Sequence, residues 1–425
     1  MCSRRRALPF ALSLTFVVGG LSGCGDGSGD QFTPSEGFLS LPEILRDGPP
    51  EGAASTTTES RNLTDPSRTV TGLGPHLNRR FGTLKDPRIW KDLPLDFHTL
   101  EQSESAVSDH AAATDNLSKA GVLFRKNCAQ CHGSSGAGDG PSAKYFSPRP
   151  RDYRPGIFKF TSTGSAGRPS RSDLEATIRR GIPGTNMPSF DRLADSDIRL
   201  LVEYVRWLSM RGELELALVR EVEFDFGDEI WKARIADGES EADLNQEAID
   251  FLQHDLPFVA ANAEQNLIER WSTDDVDSSA VSSEHDPPPD TPQSRRRGEL
   301  LFLSQRGKCV SCHGKAGRGD GPLTASFHVD PRTGEEYPQR GLHDVWGDVI
   351  VPRDLTGGAF GGGDRPVDLY RRIAFGINGT PMPAYQPTLD EQEIWDLVHY
   401  VRSLSGTPIP VSPSEDNNSD KGEGT

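Results

Sequence analysis

Two five-residue patterns constrain this chain more than any other feature: Cys128-Ala129-Gln130-Cys131-His132 and Cys309-Val310-Ser311-Cys312-His313. Their surroundings are duplicated too. Gly133-Ser134-Ser135-Gly136-Ala137-Gly138-Asp139-Gly140-Pro141 follows the first, and Gly314-Lys315-Ala316-Gly317-Arg318-Gly319-Asp320-Gly321-Pro322 follows the second. Pro150-Arg151-Asp152 then answers to Pro352-Arg353-Asp354. Further on, Gly181-Ile182-Pro183-Gly184-Thr185-Asn186-Met187-Pro188 answers to Gly376-Ile377-Asn378-Gly379-Thr380-Pro381-Met382-Pro383, closed by Phe190 and Tyr385. The unit is an internal repeat of roughly 100 residues, so the fold is built twice.

Two thiols three positions apart on a tight turn can each add to one vinyl group of a single porphyrin, which leaves the adjacent histidine beneath the iron. A zinc site would need two distant pairs to converge and would leave both histidines unexplained. A thioredoxin-like site would need a βαβ pattern that is missing here. The repeat therefore predicts two covalently attached haem c groups, held by Cys128 and Cys131 and by Cys309 and Cys312, with His132 and His313 as iron ligands. Of four methionines, Met187 and Met382 occupy equivalent Gly/Pro-punctuated loops, off any helical or strand period. A thioether suits iron and raises its reduction potential, so these two are the expected sixth ligands. Met210 has no counterpart in the repeat and is read as packing. His328 and His343 lie in an insertion of about 21 residues, and His399 on a helix at the position of Glu203. None of the three is expected to bind iron, and His399 is expected at the surface. His76, His98, His110, His254 and His285 lack any ligand-like context. Arg151 and Arg353 are candidate partners for haem carboxylates, against ordinary surface arginine.

The start of the chain reads as an address. Arg4, Arg5 and Arg6 precede a 14-residue apolar stretch, 7–20, too short to span a bilayer. Leu21-Ser22-Gly23-Cys24 follows and resembles the lipobox of bacterial lipoproteins, which implies lipid attachment at Cys24. Cys2 would leave with the signal, so every cysteine has an assignment. No later segment is a membrane span by length and apolarity, so anchoring would rest on lipid.

Each repeat reads as helix, haem loop, helix, Met loop, helix. Ile198, Leu201, Val202, Val205 and Leu208 make one apolar face of the last helix in the first repeat. Ile394, Leu397, Val398 and Val401 do so in the second, where Thr388 with Glu391 suggests a capping box. These residues resemble the class I cytochrome c family, whose N-terminal helix crosses its C-terminal one. The resemblance implies an all-α fold of two tandem domains with an extended tether, an acidic linker and a tail. It implies that Gly121 and Phe124 meet Tyr204 or Trp207, and that Gly298 and Phe302 meet Tyr400. The second repeat departs from the first by about three extra residues before Cys309.

The expected organisation is a signal peptide over 1–23, a lipid-anchored tether and strap over 24–112, and a first domain over 113–212. An acidic linker with some helix follows over 213–292, then a second domain over 293–408 and a tail over 409–425. The net charge of −17 argues against nucleic-acid binding. Residues 211–292 hold 22 acidic and five basic residues, the whole of that imbalance. This acidity is expected in a solvated connector, although its sign would also suit a basic redox partner.

The resulting expectation is an exported, periplasmic or cell-envelope, lipid-anchored electron carrier. It would relay single electrons between respiratory oxidase or dehydrogenase components, without being an enzyme itself. The alternatives are a peroxidase-like diheme catalyst, a gas-binding sensor, or the haem subunit of a larger respiratory oxidoreductase.

Overall fold

The computed structural model describes residues 32–49, 72–97, 110–164, 167–272 and 287–406. The expected signal peptide, Cys24, most of the tether and the tail lie outside the described residues. Within them helix is the dominant regular structure, joined by long loops, with one two-stranded antiparallel hairpin, β1 (Leu342–His343) with β2 (Val349–Ile350). Among the described residues no helix is long and apolar enough to cross a membrane.

Two hydrophobic cores form, one in each half. Three short helices begin the first: α1 (Glu36–Leu39), α2 (Glu43–Asp47) and α3 (Leu73–Phe81). Then come α4 (His110–Asn127), α5 (Ala129–His132), α6 (Arg171–Arg180) and the 32-residue α7 (Asp195–Phe226). As expected of the fold, α4 crosses α7, with Phe124 on Tyr204 at 5.2 Å between ring centroids and Gly121 beneath the Tyr204 ring. The strap docks around Trp207, whose Nε1 donates to the Arg88 carbonyl at 2.9 Å while its ring meets Phe32, Phe81 and Tyr204.

The single apolar face expected on α7 is only part of what is buried. Over Leu200–Glu215 every residue of the helix is buried, because α4 covers one side and α3 and the later helices cover others. Charged residues inside this wrap are paired. Arg206 reaches the Pro94 and Trp271 carbonyls, and Glu203 takes Arg171 and the Asp96 backbone N–H.

The segment expected as an acidic linker is also different. It continues α7 without a break, then forms α8 (Asp228–Ala236), α9 (Glu241–Asp250) and α10 (Leu256–Trp271). A five-residue π turn, Phe251–Asp255, joins the last two and accommodates Pro257, which lacks a donor. Leu214, Leu218, Val222, Leu244, Leu267 and Trp271 bury their side chains in the first core. Several of the acids are interior ion-pair partners rather than solvated charge. Glu213 holds Arg168 and Trp271 Nε1, Glu215 holds Arg211, and Glu264 holds Arg80 and His76. Charge counting could not see these partners, since most lie far away in sequence.

The second half comprises α11 (Pro292–Leu303), α12 (Val310–His313), α13 (Pro366–Phe375) and α14 (Glu391–Leu404). Gly298 of α11 sits so close to α14 that a Cβ there would stand 2.0 Å from the Asp396 carbonyl oxygen. Phe302 meets Tyr400 at 5.3 Å, so the extra residues before Cys309 leave the helix crossing intact. They form a tight loop in which Lys308 takes a left-handed φ of 51°. The capping box of α14 belongs to Asp390 and Glu393, not to Thr388 and Glu391. Thr388 instead turns its hydroxyl to the Tyr385 carbonyl. His399, expected at the surface, is fully buried, with Nδ1 2.8 Å from Ser294 Oγ of α11. A polar residue on a helix face packed by another helix needs such a partner.

Candidate functional site

In each half the short helix carrying Cys-His starts at the first cysteine and stops at a glycine. Gly133 and Gly314 both have φ of 72°, and a Cβ on either would collide with the aspartate that follows, Asp139 or Asp320. Gly138 and Gly319 each donate to the carbonyl of the preceding histidine at 2.9 Å, folding the glycine-rich loop back under the motif. The methionine loops are equally matched. Ile182 N–H donates to the Met187 carbonyl at 3.1 Å, and Ile377 N–H to that of Met382 at 3.2 Å. Thr185 Oγ1 and Thr380 Oγ1 accept the backbone N–H of Met187 and Met382 at 3.2 and 3.3 Å. Phe190 and Tyr385 then tie each loop to the preceding helix.

All eight expected residues line one cavity of about 760 Å³ that runs between the two domains: Cys128, Cys131, His132, Met187, Cys309, Cys312, His313 and Met382. The four thiols are free of disulfides. Burial pushes Cys128 up to about 12 and Cys309 up to about 11, so both are neutral thiols in the protein alone. Burial lowers the pKa of His132 and His313, which keeps them as neutral imidazoles, the form that binds a metal. His313 Nδ1 faces the Arg353 carbonyl at 3.2 Å, a contact that would leave Nε2 available to a metal. The Arg151 carbonyl opposes the drop at His132 in the same way, although Nδ1 there falls short of a hydrogen bond.

Basic residues dominate the charged part of the cavity wall. Arg149, Arg151, Lys159, Lys308, Arg318, Arg353 and Arg372 line it, against a single acid, Asp354. Two of these cations have buried N–H groups with no protein partner: Nε of Arg151, and Nε and Nη1 of Arg372. Desolvation brings Lys159 down to about 8 and Arg372 down to about 10. A cavity with this lining suits a flat apolar ligand that carries carboxylates. Neutral histidines, paired free thiols and cations with unpartnered N–H groups together fit haem.

The domains are not identical around this cavity. Tyr153 lies against His132 at 5.4 Å and stacks on Phe158 at 5.8 Å, where the second repeat has Leu355. Conversely, Tyr385 bonds the Cys309 thiol where the first repeat has Phe190. Tyr153 and Leu355 directly follow the matched Pro-Arg-Asp triplets, so the sequence carries a signal for this difference. Arg372, Lys159 and the insertion residues Asp344 and Trp346 carry no local motif in the sequence. Their role appears only when the two domains meet. His343 is buried and stacked on Tyr337 at 3.8 Å, and His328 turns Nε2 to the Leu323 carbonyl. Met210 is fully buried in the first core.

Residues 118–209 and 296–405 match the Cytochrome c family model. A search of the curated proteins found no match. Among solved structures, the chain is similar to one from the Kuenenia stuttgartiensis reducing HAO-like protein complex. The identity is 26% and the TM-score 0.46, over 67% of this chain and 95% of that one.

Proposed function

Starting from a chain that carries two cytochrome c domains, whose common chemistry is haem-based electron transfer, we propose a diheme carrier that relays single electrons between redox partner proteins. The observation that supports this most is the shared cavity, which gathers both sets of cysteine, histidine and methionine. A covalently held haem supplies a one-electron couple whose potential depends on its axial ligands and burial.

The protein's own residues would do the rest. Cys128, Cys131, Cys309 and Cys312 provide thioether anchors. His132 and His313 would each offer a neutral nitrogen to an iron, and Met187 and Met382 a sulfur. Thr185 and Thr380 hold the methionine loops by their backbone N–H groups, which limits rearrangement on a change of charge. Phe124, Phe158, Leu201 and Val205 of the first domain, with Phe302, Phe360, Leu397 and Val401 of the second, exclude water from the cavity. The cations on its wall would neutralise carboxylates that are otherwise costly to bury.

Export, lipidation at Cys24 and a place at the periplasmic or envelope face of a bacterial membrane belong to the same proposal. They rest on the Arg4–Arg6 run, the apolar stretch after it and the Leu21–Cys24 sequence. The partners are taken to be protein components of a respiratory chain.

Exposure of the reduced, matured protein to carbon monoxide at neutral pH tests the reading. A carrier with both irons closed by methionine leaves the visible spectrum unchanged. Stoichiometric binding at one haem would replace relay by catalysis or gas sensing.

A further inference from the structure

The insertion that distinguishes the second repeat ends on the first domain. Its hairpin turn carries Asp344, whose Oδ1 accepts the backbone N–H groups of Trp346 and Asp348 at 3.0 and 3.1 Å. That Asx-type turn fixes the carboxylate and leaves Oδ2 for a single partner, Arg151 Nη1 of the first domain, at 2.7 Å. The pair is nearly dry, with side chains 14% and 3% exposed. The same guanidinium sits over the Trp346 ring, its central carbon 3.9 Å from the ring centroid.

The clamp therefore grips Arg151 from two directions, while Nε remains buried and unpartnered at the cavity wall. The same turn is tied to the second domain's own site. Val345 N–H donates to the Gly379 carbonyl in the Met382 loop. Arg353, the repeat equivalent of Arg151, has no such clamp. Its Nη2 reaches the Pro183 carbonyl of the first domain instead.

We propose that Asp344 and Trp346 are positioning residues for the first domain's haem site. They hold Arg151 so that its free N–H is presented to a cofactor carboxylate, and through it the second domain sets the reduction potential of the first. The inference rests on the diheme reading. A fixed guanidinium beside the centre favours its reduced form, because reduction removes positive charge from a poorly screened site. Released from the clamp, a flexible arginine would move toward water and lose that effect.

The test is a potentiometric titration of the matured full-length protein and its variants, with haem content per chain measured first. The first-domain wave is identified as the one that Met187→Leu moves. Arg151→Gln is expected to lower its midpoint. Asp344→Asn is expected to lower it by most of the same shift, and the double variant to match Arg151→Gln alone. The second-domain midpoint stays in place throughout. Trp346→Leu, which keeps the ion pair, gives a smaller shift of the same sign and serves if Asp344→Asn does not fold. A rise in the midpoint, no change, or shifts that add in the double variant would overturn the inference, since Asp344 would then act by its own charge or not at all. A chain without haem would overturn the diheme reading itself, before any titration.

Discussion

Phe160 of the first domain lies 5.5 Å from the guanidinium carbon of Arg372 in the second, with its ring seated over Gly361 and Gly362. A Cβ on Gly362 would stand 2.6 Å from that ring. In the repeat, Gly361 and Gly362 align with Lys159 and Phe160, and Arg372 aligns with Thr177. One copy has kept a bulky pair and a small helix residue, the other a small pair and a large helix residue, and the two surfaces interlock. Removing the knob tests this relationship. Phe160→Ala is expected to cost about 2 kcal/mol, less than for a fully buried phenylalanine because the ring is half-buried. In calorimetry of the matured protein the two domains should then unfold in separate steps. A single transition at the original temperature would show that the interface does not couple them.

The helix crossings give a contrast between the repeats. A Cβ on Gly298 would meet backbone at 2.0 Å, whereas on Gly121 its nearest neighbour is the Tyr204 ring at 3.3 Å. Gly298→Ala should cost about 3 kcal/mol or prevent folding of the second domain. Gly121→Ala should change stability by no more than about 1 kcal/mol, since the helix gains from alanine what the ring must yield. Denaturant titration of both variants measures the difference, and equal costs would contradict the geometry.

His399 gives the second domain a pH dependence. Burial depresses its folded pKa below the ordinary value near 6.5. The unfolded chain therefore takes up a proton that the folded one refuses, and the stability this residue supports is complete above that value. It is lost as pH falls below it. His399→Gln should flatten the dependence between pH 7.5 and 5.5, read by urea unfolding at each pH. An identical slope in the variant would mean that His399 does not titrate on unfolding in this range.

The chemistry-bearing residues were legible in the sequence because their spacing is local and stated twice. Cys128 to His132 form a short helix stopped by Gly133, Met187 sits in a loop punctuated by glycine and proline, and their counterparts lie at matching positions. What was hidden depends on contacts between distant segments. Glu213 reads as one acid among many until Arg168 and Trp271 are seen around it. His399 reads as a surface residue until Ser294 is placed across the helix interface. The burial of α7 all round follows from helices wrapped on both sides of it, which one amphipathic stripe cannot announce. The asymmetry between the domains was visible as aligned differences, Tyr153 against Leu355 and Thr177 against Arg372. Its meaning needed the second domain in place.

The central claim is that each domain closes its iron with a methionine. The most direct measurement is the long-wavelength sulfur-to-iron charge-transfer absorption of the oxidised, matured protein. The intensity should correspond to two sites per chain, fall by half in Met187→Leu and in Met382→Leu, and vanish in the double variant. Absorption that either single substitution leaves untouched would contradict the account.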